Sequence, residues 1–261
     1  MISEFANATE RANEILARFG LDYLGTTDIE VLCAYDNIII WEVETQSFEA
    51  RIIKYNHRAG IIRVSCHQNE KRKRFSIAHE LGHFYLHTAL LYSCSSYDMI
   101  NIDYKIEAEA NAFAAELLIP TKEAQKFIRP KRVITAQTIN EMSDRFNASR
   151  TACMIRFVTS DLIPCALICS KNGLVHWVKK SNSFPWYTIG VKKELDSGSI
   201  ASELFAKNLF ERKELDDPYA QVVLTESWIK DKHYESDTVN EISFAIPSQN
   251  SVVSLIWEHH N

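Results

Sequence analysis

No stretch of this sequence is apolar for long enough to cross a bilayer. The longest run, Leu162 to Cys169, is interrupted by Pro164 and falls far short of the roughly 20 residues a membrane helix needs. The opening residues, MISEFANATERANEILARFG, carry Glu and Asn where a secretory leader needs an unbroken apolar stretch, so a soluble, cytoplasmic protein is expected. Positive charge is not in excess either: 29 Lys and Arg stand against 34 Asp and Glu, a net charge of −5. Such a chain has no global attraction to nucleic acid or to an anionic membrane. The six cysteines (Cys33, Cys66, Cys94, Cys153, Cys165, Cys169) contain no C-x-x-C pair; Cys165 and Cys169 are four apart. A chain of 261 residues buries enough core to do without disulfide staples, so reduced, mostly buried thiols are expected and a cysteine-based zinc site is not. Internal repeats and low-complexity tracts are lacking too. What is there is an ordinary globular composition, 46% apolar and 24% charged, with room for one large domain or two small ones.

Three segments differ in pattern. Residues 1–120 open with an amphipathic helix, Glu4 to Phe19, stopped by Gly20, and a short helix from Asp28 to Ala34. Strand patterns follow at Asn37–Val43, Phe48–Tyr55 and Gly60–Cys66. After the charged run Glu70–Arg74 comes a helical stretch from Phe75 to Ala89, then a loop rich in Ser, Tyr and Asp. A second helical stretch runs from about Asp103 to Leu118, and Pro120 closes it because proline cannot continue the hydrogen-bond ladder. Residues 121–160 read as short helices with a helix-turn-helix-like shape, Thr135–Arg145, the turn Phe146–Ser149 and Arg150–Val158, with Ser149 a fitting N-cap. Residues 161–261 predict a hairpin (Cys165–Ser170, Leu174–Lys179) around Lys171-Asn172-Gly173 and a helix from Ser199 to Phe210. Further strands are read at Gln221–Trp228, Glu241–Ile246 and Ser251–Trp257, giving an antiparallel sheet. The fold class expected is α+β.

The chemistry is carried by His79-Glu80-Leu81-Gly82-His83 inside the helical stretch. Histidines at i and i+4 project from one helix face about one turn, roughly 6 Å, apart. Both imidazoles can therefore reach one ion at about 2.0–2.1 Å. Glu80 lies beside them, placed to take a proton from the attacking water. A bare HExxH arises by chance in a chain of this length on the order of a few per cent of the time, so the reading needs a third ligand.

Geometry sorts the candidates. His87 is on the same stripe but two turns, roughly 12 Å, from His79, and no glycine breaks the helix after His83. His87 is therefore read as a residue supporting or packing against the ligands. On the second helix, Ala110, Phe113, Ala114 and Leu117 form a 3,4-spaced core stripe. Glu107 and Asn111 flank that stripe on one side. Glu109 is turned roughly 200° from Glu107 and is expected to face solvent, and Glu116 falls away from the seam. Glu107 is the expected third ligand, with Asn111 one turn later accepting a hydrogen bond from a ligand imidazole.

Two blocks now stand together: Arg74-Phe75-Ser76-Ile77-Ala78-His79-Glu80-Leu81-Gly82-His83, and Glu107-x-x-Ala110-Asn111-x-Phe113-Ala114-x-x-Leu117-Leu118-x-Pro120. Together, and with His87 after the motif, they resemble the ImmA/IrrE family of metallopeptidases. The resemblance is specific over roughly 60–120. It is looser at Phe184-Pro185-Trp186, Glu226-Ser227-Trp228 and Val252–Trp257, which are similar to larger members. It implies a gluzincin-like site: the two motif histidines, Glu107 as third ligand and water in the fourth position. Asn111 stands where many gluzincins carry Asp, and asparagine is common in this family. The resemblance also implies the substrate class, a helix-turn-helix transcriptional repressor cut once, which switches on stress-response or mobile-element genes. Zn²⁺ is the metal expected, although a two-His, one-Glu site also takes Mn²⁺, Fe²⁺ or Co²⁺.

The remaining features have plainer readings. Lys71-Arg72-Lys73-Arg74 reads as a solvated turn before a helix, its sharper alternative being a basic rim that steers an acidic substrate. The helix offering Arg150 and Arg156 also carries Cys153, Ile155 and Phe157 in an acidic chain, so direct nucleic-acid binding is not expected. Trp177, Phe184, Trp186, Tyr187, Trp228 and Trp257 are read as core or edge residues, and His259 and His260 as a frayed tail. Tyr85, Tyr92, Tyr97 and Tyr104 all lie near the motif, and nothing singles one out as the oxyanion's electrophile. The expected architecture is an HExxH zinc-peptidase domain (1–120), a helix-turn-helix-like segment (121–160) and an α+β C-terminal domain (161–261) open to a regulatory role. The expected function is site-specific endoproteolysis of a cytoplasmic regulatory protein. Its rival is a peptidase-like module that binds a repressor without cutting it, for which the full set His79, Glu80, His83 and Glu107 has no use.

Overall fold

Helix α1, Ala6–Arg18, buries Ala8, Ala12, Ile15 and Leu16, a stripe at i, i+4, i+7 and i+8 that suits one face of a 3.6-residue helix. It stops where Gly20 turns left-handed at φ 66°, with Leu21 N–H on the Leu16 carbonyl and Gly20 N–H on that of Ala17, the Schellman arrangement. The computed structural model describes residues 6–27, 29–56, 58–87, 96–131, 134–185, 189–206, 220–230 and 237–258. The chain divides into two compact units, residues 1–123 with 142–149 and residues 124–141 with 150–261. The stretch 121–160 is thus shared between the units. Helices and sheets are segregated in the manner of an α+β protein.

In the first unit, α2 (Ile29–Tyr35) leads into strands β1 (Ile38–Val43), β2 (Ala50–Asn56) and β3 (Ala59–Ser65). The order is β1-β3-β2, with β1 parallel and β2 antiparallel to the central β3. Ile62 and Val64 of β3 are fully buried, and the sheet packs on α3, Glu70–Leu86. On its other side α3 meets α4, Ser96–Leu118, which also carries α1. Ala110, Phe113, Ala114 and Leu117 are fully buried in that seam. Gly82 explains how close the two helices come: a Cβ there would lie 2.9 Å from Ala110 Cα and 3.1 Å from its carbonyl oxygen.

Two boundaries differ from expectation. α3 begins at Glu70 rather than Phe75, because Asn69 caps it, its side chain accepting from Arg72 N–H at 2.9 Å. The basic run is therefore not a solvated turn but the start of the helix that carries the motif. Lys71 reaches Ser143 Oγ at 2.7 Å, Arg72 pairs with Glu49, Lys73 with Glu42 and Glu70, and buried Arg74 donates to the carbonyls of Thr27 and Gly25. α4 begins at Ser96 rather than near Asp103, so its first turns use residues that read as loop, a mixed stretch that opens on Ser-Tyr-Asp. Pro120 closes it as expected, and α5 follows at Thr121–Ile128. Glu116 does lie off the α3 seam, yet it is buried at 3% exposure, accepting from Thr121 N–H, Thr121 Oγ1 and Asn13 Nδ2.

The boundary between the units falls inside α6 (Ala136–Arg145). After Asn147, left-handed at φ 46°, comes α7, Arg150–Thr159. The hairpin of β4 (Cys165–Lys171) and β5 (Leu174–Lys180) turns through Asn172 and Gly173, both at positive φ, the pattern that matches strand twist. With β6 (Ala220–Leu224), β7 (Thr238–Ile246) and β8 (Ser251–Glu258) they form an antiparallel sheet ordered β5-β4-β8-β7-β6. α7 packs on β4 and β5, and α8 (Ile200–Ala206) on β7 and β8. β4 and β8 are buried along nearly their whole length, as strands covered on both faces are. β6 ends before Trp228, since Thr225–Ser227 form a 3₁₀ turn. Trp228 and Phe184 belong to the core cluster, Trp177 and Trp257 are half-buried, and Trp186, Tyr187, His259 and His260 lie outside the described residues. Of the cysteines described, all are free; Cys33, Cys153, Cys165 and Cys169 are buried and Cys66 is exposed, while Cys94 lies outside the described residues. No described helix is long and apolar enough to cross a membrane.

Candidate metal centre

The helical repeat of α3 brings His79 and His83 onto one face, and their Nε2 atoms lie 3.0 Å apart. The close α3–α4 contact at Gly82 and Ala110 brings Glu107 opposite them. Glu107 Oε2 is 3.1 Å from His79 Nε2, and Oε1 is 3.3 Å from His83 Nε2. Among the described residues, this is the group in which three ligand-type atoms fall within 4.8 Å of one another. The histidine side chains are mostly buried, at 16% and 17% exposure, while Glu107 is open to solvent at 56%.

The other ring nitrogens are engaged. His79 Nδ1 lies 3.1 Å from Asn111 Oδ1. His83 Nδ1 lies 3.1 Å from His87 Nδ1. His87 is the C-cap of α3, with a non-helical backbone (φ −112°, ψ 86°), so its ring is not held on the stripe two turns from His79. Burial first, then the nearby His79, His87 and Lys54, pulls the His83 pKa down to about 4. A neutral imidazole keeps the lone pair a metal needs. Two imidazole nitrogens and one carboxylate make a donor set that suits a first-row divalent ion with an open position.

Glu80 is buried at 8% exposure, and its Oε2 accepts the backbone N–H of Ile52 at 2.9 Å. Burial raises its pKa, with Glu107 adding to the rise, while His79, the Ile52 N–H and Arg51 oppose it. The motif glutamate is thus tied to β2, an edge strand of its sheet. All of these residues line one cleft of about 890 Å³, whose walls also include Arg51, Arg72, Phe75 and Ile106. Of the basic run, only Arg72 reaches it, and Arg72 is paired with Glu49.

Two contributors were not legible in the sequence. Glu109 does not face solvent: its Oε2 lies 3.1 Å from His87 Nε2. The wheel put it on the far flank of α4, where the end of α3 at His87 meets it; a helix foreseen to stop at Leu86 would have signalled this. Lys54 of β2 places its ammonium 2.6, 3.1 and 2.5 Å from the carbonyls of His83, Phe84 and His87. No local motif announces that contact. Of the tyrosines near the motif, Tyr85 donates its hydroxyl to Asp36 and Tyr104 is 79% exposed; neither lines the cleft. Tyr92 and the side chain of Tyr97 lie outside the described residues.

Part of the chain is similar to known proteins. Residues 35–157 match the family model of the IrrE N-terminal-like domain. The chain is 34% identical over 85 residues to the Bacillus phage phi105 protein named "uncharacterized immunity region protein 2", covering 32% of this chain and 52% of that protein. It is 26% identical over 102 residues to metallopeptidase ImmA of Bacillus subtilis (strain 168), covering 38% and 57%. The match thus spans about half the length of these curated relatives. A solved Mycobacterium tuberculosis transcriptional regulator shares the fold over 97% of this chain and 76% of its own, at a TM-score of 0.64 and 14% identity. Through residues 35–157, which hold both helices of the site, the chain is similar to the ImmA/IrrE family.

Proposed function

We propose that this chain is a zinc-dependent endopeptidase that makes a site-specific cut in a cytoplasmic regulatory protein, a helix-turn-helix transcriptional repressor by family likeness. His79, His83 and Glu107 hold the metal in this reading, and Glu80 moves the proton. The observation that carries it is the convergence of two imidazole nitrogens and one carboxylate within 4.8 Å, with Glu80 buried beside them in the same cleft. The family's metallopeptidase relative in Bacillus subtilis supports it.

A divalent ion bound there supplies the electrostatic activation of water and scissile carbonyl that peptide hydrolysis needs. The chain's own residues do the rest. Glu80, held by the Ile52 N–H, takes a proton from the attacking water and delivers it to the leaving amine. Its raised pKa suits a group that must both accept and return a proton. Asn111 and His87 hold the two imidazoles from behind.

Elemental analysis of the purified protein tests the site. About one equivalent of metal is expected in the wild type, with a clear loss in Glu107→Ala, and zinc rather than Mn²⁺ should dominate. Glu80→Gln should keep the metal and lose cleavage by about 10²-fold or more. New protein N-termini in cells expressing wild type, set against Glu80→Gln, identify the target. Equal cutting by the two would overturn the mechanism. Metal uptake with no new N-termini would favour a module that binds its partner without cutting.

A further inference from the structure

The two candidate ligand histidines are held by different devices, and the difference has a consequence for which nitrogen carries the proton. His79 Nδ1 faces Asn111 Oδ1 at 3.1 Å. An amide carries both a donor and an acceptor, so this contact is compatible with either imidazole tautomer. His83 faces a longer chain: its Nδ1 lies 3.1 Å from His87 Nδ1, and His87 Nε2 lies 3.1 Å from Glu109 Oε2.

That chain has a fixed polarity, because it ends on a carboxylate. An ionised carboxylate only accepts hydrogen bonds, so His87 Nε2 must be the nitrogen that bears hydrogen. A neutral His87 then offers only a lone pair at Nδ1. His83 must donate to it from its own Nδ1, which leaves His83 Nε2 without a hydrogen and facing Glu107 and His79 Nε2. The ring of His87 is buried to 11% exposure and Glu109 to 27%, so solvent competes poorly for these contacts. Lys105 Nζ lies 3.8 Å from Glu109 Oε1, on the side away from His87.

We propose that Glu109 is a positioning residue: through His87 it fixes His83 as the Nδ1–H tautomer and so keeps His83 Nε2 open for the metal. This rests on the metal-site reading above and adds the residue that sets its proton arrangement. Glu109 touches neither metal nor substrate in this role. Outer-shell partners of metal-bound histidines contribute about 10–100-fold in metal affinity, and the chain assigns that contribution to a carboxylate on the opposite helix.

The test uses full-length protein in two measurements. The first is long-range ¹H–¹⁵N correlation of the histidine rings in metal-free protein, which reads tautomers directly. His83 is expected to carry its hydrogen on Nδ1 and His87 on Nε2, and Glu109→Leu should mix the His83 tautomers. The second is zinc affinity by competition with a chromophoric chelator. Glu109→Leu and His87→Phe should each weaken zinc binding about 10–100-fold, and the double variant should bind no more weakly than His87→Phe alone, since both act along one chain. A His83 hydrogen on Nε2 in the wild type would overturn the proposal, as would Glu109→Leu affinity within about twofold of wild type. Neither measurement requires cleavage. A protein with the expected tautomers and affinities that leaves every protein uncut would remove the peptidase reading and leave the relay standing.

Discussion

Lys54 joins the edge strand β2 to the end of the helix that carries the motif. Its ammonium lies within 3.1 Å of the carbonyls of His83, Phe84 and His87; the His83 carbonyl also accepts the His87 N–H, while those of Phe84 and His87 lie at the helix end, where carbonyls lack intrahelical partners. Burial lowers its pKa, so the site asks the charge to leave water, and the carbonyls and the negative helix end offset that cost. Lys54→Met keeps the stem and deletes the donor. It should destabilise the metal-free protein by about 1–2 kcal/mol, read as a lower thermal midpoint; an unchanged midpoint would mean that water serves those carbonyls equally well. The contrast with Glu107 and Asn111 shows what a sequence can carry at this scale. Those two are placed by the same 3.6-residue repeat that buries Ala110 and Phe113, so their side of the helix follows from spacing. Lys54 and Glu109 meet partners at the end of another element, and no spacing within their own segments encodes that.

At the scale of elements, the site depends on how closely α3 and α4 approach. Glycine inside a helix costs up to about 1 kcal/mol relative to alanine, so on propensity alone Gly82→Ala should stabilise. The structure argues the reverse. The added methyl would sit 2.9 Å from Ala110 Cα and 3.1 Å from its carbonyl oxygen, and backbone cannot rotate away as a long side chain can. Overpacking of this kind costs about 1–3 kcal/mol. Gly82→Ala is therefore expected to lower stability and, by moving α4 outward, to weaken metal binding through Glu107. Unfolding and chelator competition on the same variant check both parts. A stability gain with unchanged affinity would show that α4 shifts freely along α3. The glycine was visible in the motif, but the alanines opposite it gave only permission for close contact, not its extent. The start of α3 was misjudged for a related reason: its first turn is bound to other elements through charged side chains, which show no apolar period, and only the Asn69 cap marked it.

Across the whole molecule, local signals were read well and long-range pairing was not. The Asn172-Gly173 hairpin and the antiparallel character of the second sheet follow from turn chemistry and strand pattern. The order β5-β4-β8-β7-β6 places β4 beside β8, elements far apart in the chain, and nothing in either strand names the other. The same limit hid Glu241. It falls near a predicted strand start, where a charged residue reads as exposed, yet it is fully buried in β7. Its carboxylate accepts from the N–H groups of Ile200 and Ala201 at 3.1 and 3.0 Å, from Trp228 Nε1 at 2.7 Å and from Ser243 Oγ at 2.7 Å. Burial raises its pKa and the four donors oppose the rise. One acid thus ties α8, the turn before Trp228 and the sheet into one unit. Glu241→Leu keeps the volume and removes the charge's desolvation cost, so a purely apolar accounting predicts a gain. The donors decide the outcome, because unsatisfied buried donors cost about 1–3 kcal/mol each and two of these are backbone groups that cannot be turned toward solvent. The variant should lose about 3 kcal/mol or more, measured by denaturant unfolding followed through tryptophan fluorescence. Stability equal to the wild type would mean that the acid is dispensable and that packing alone holds α8 on its sheet.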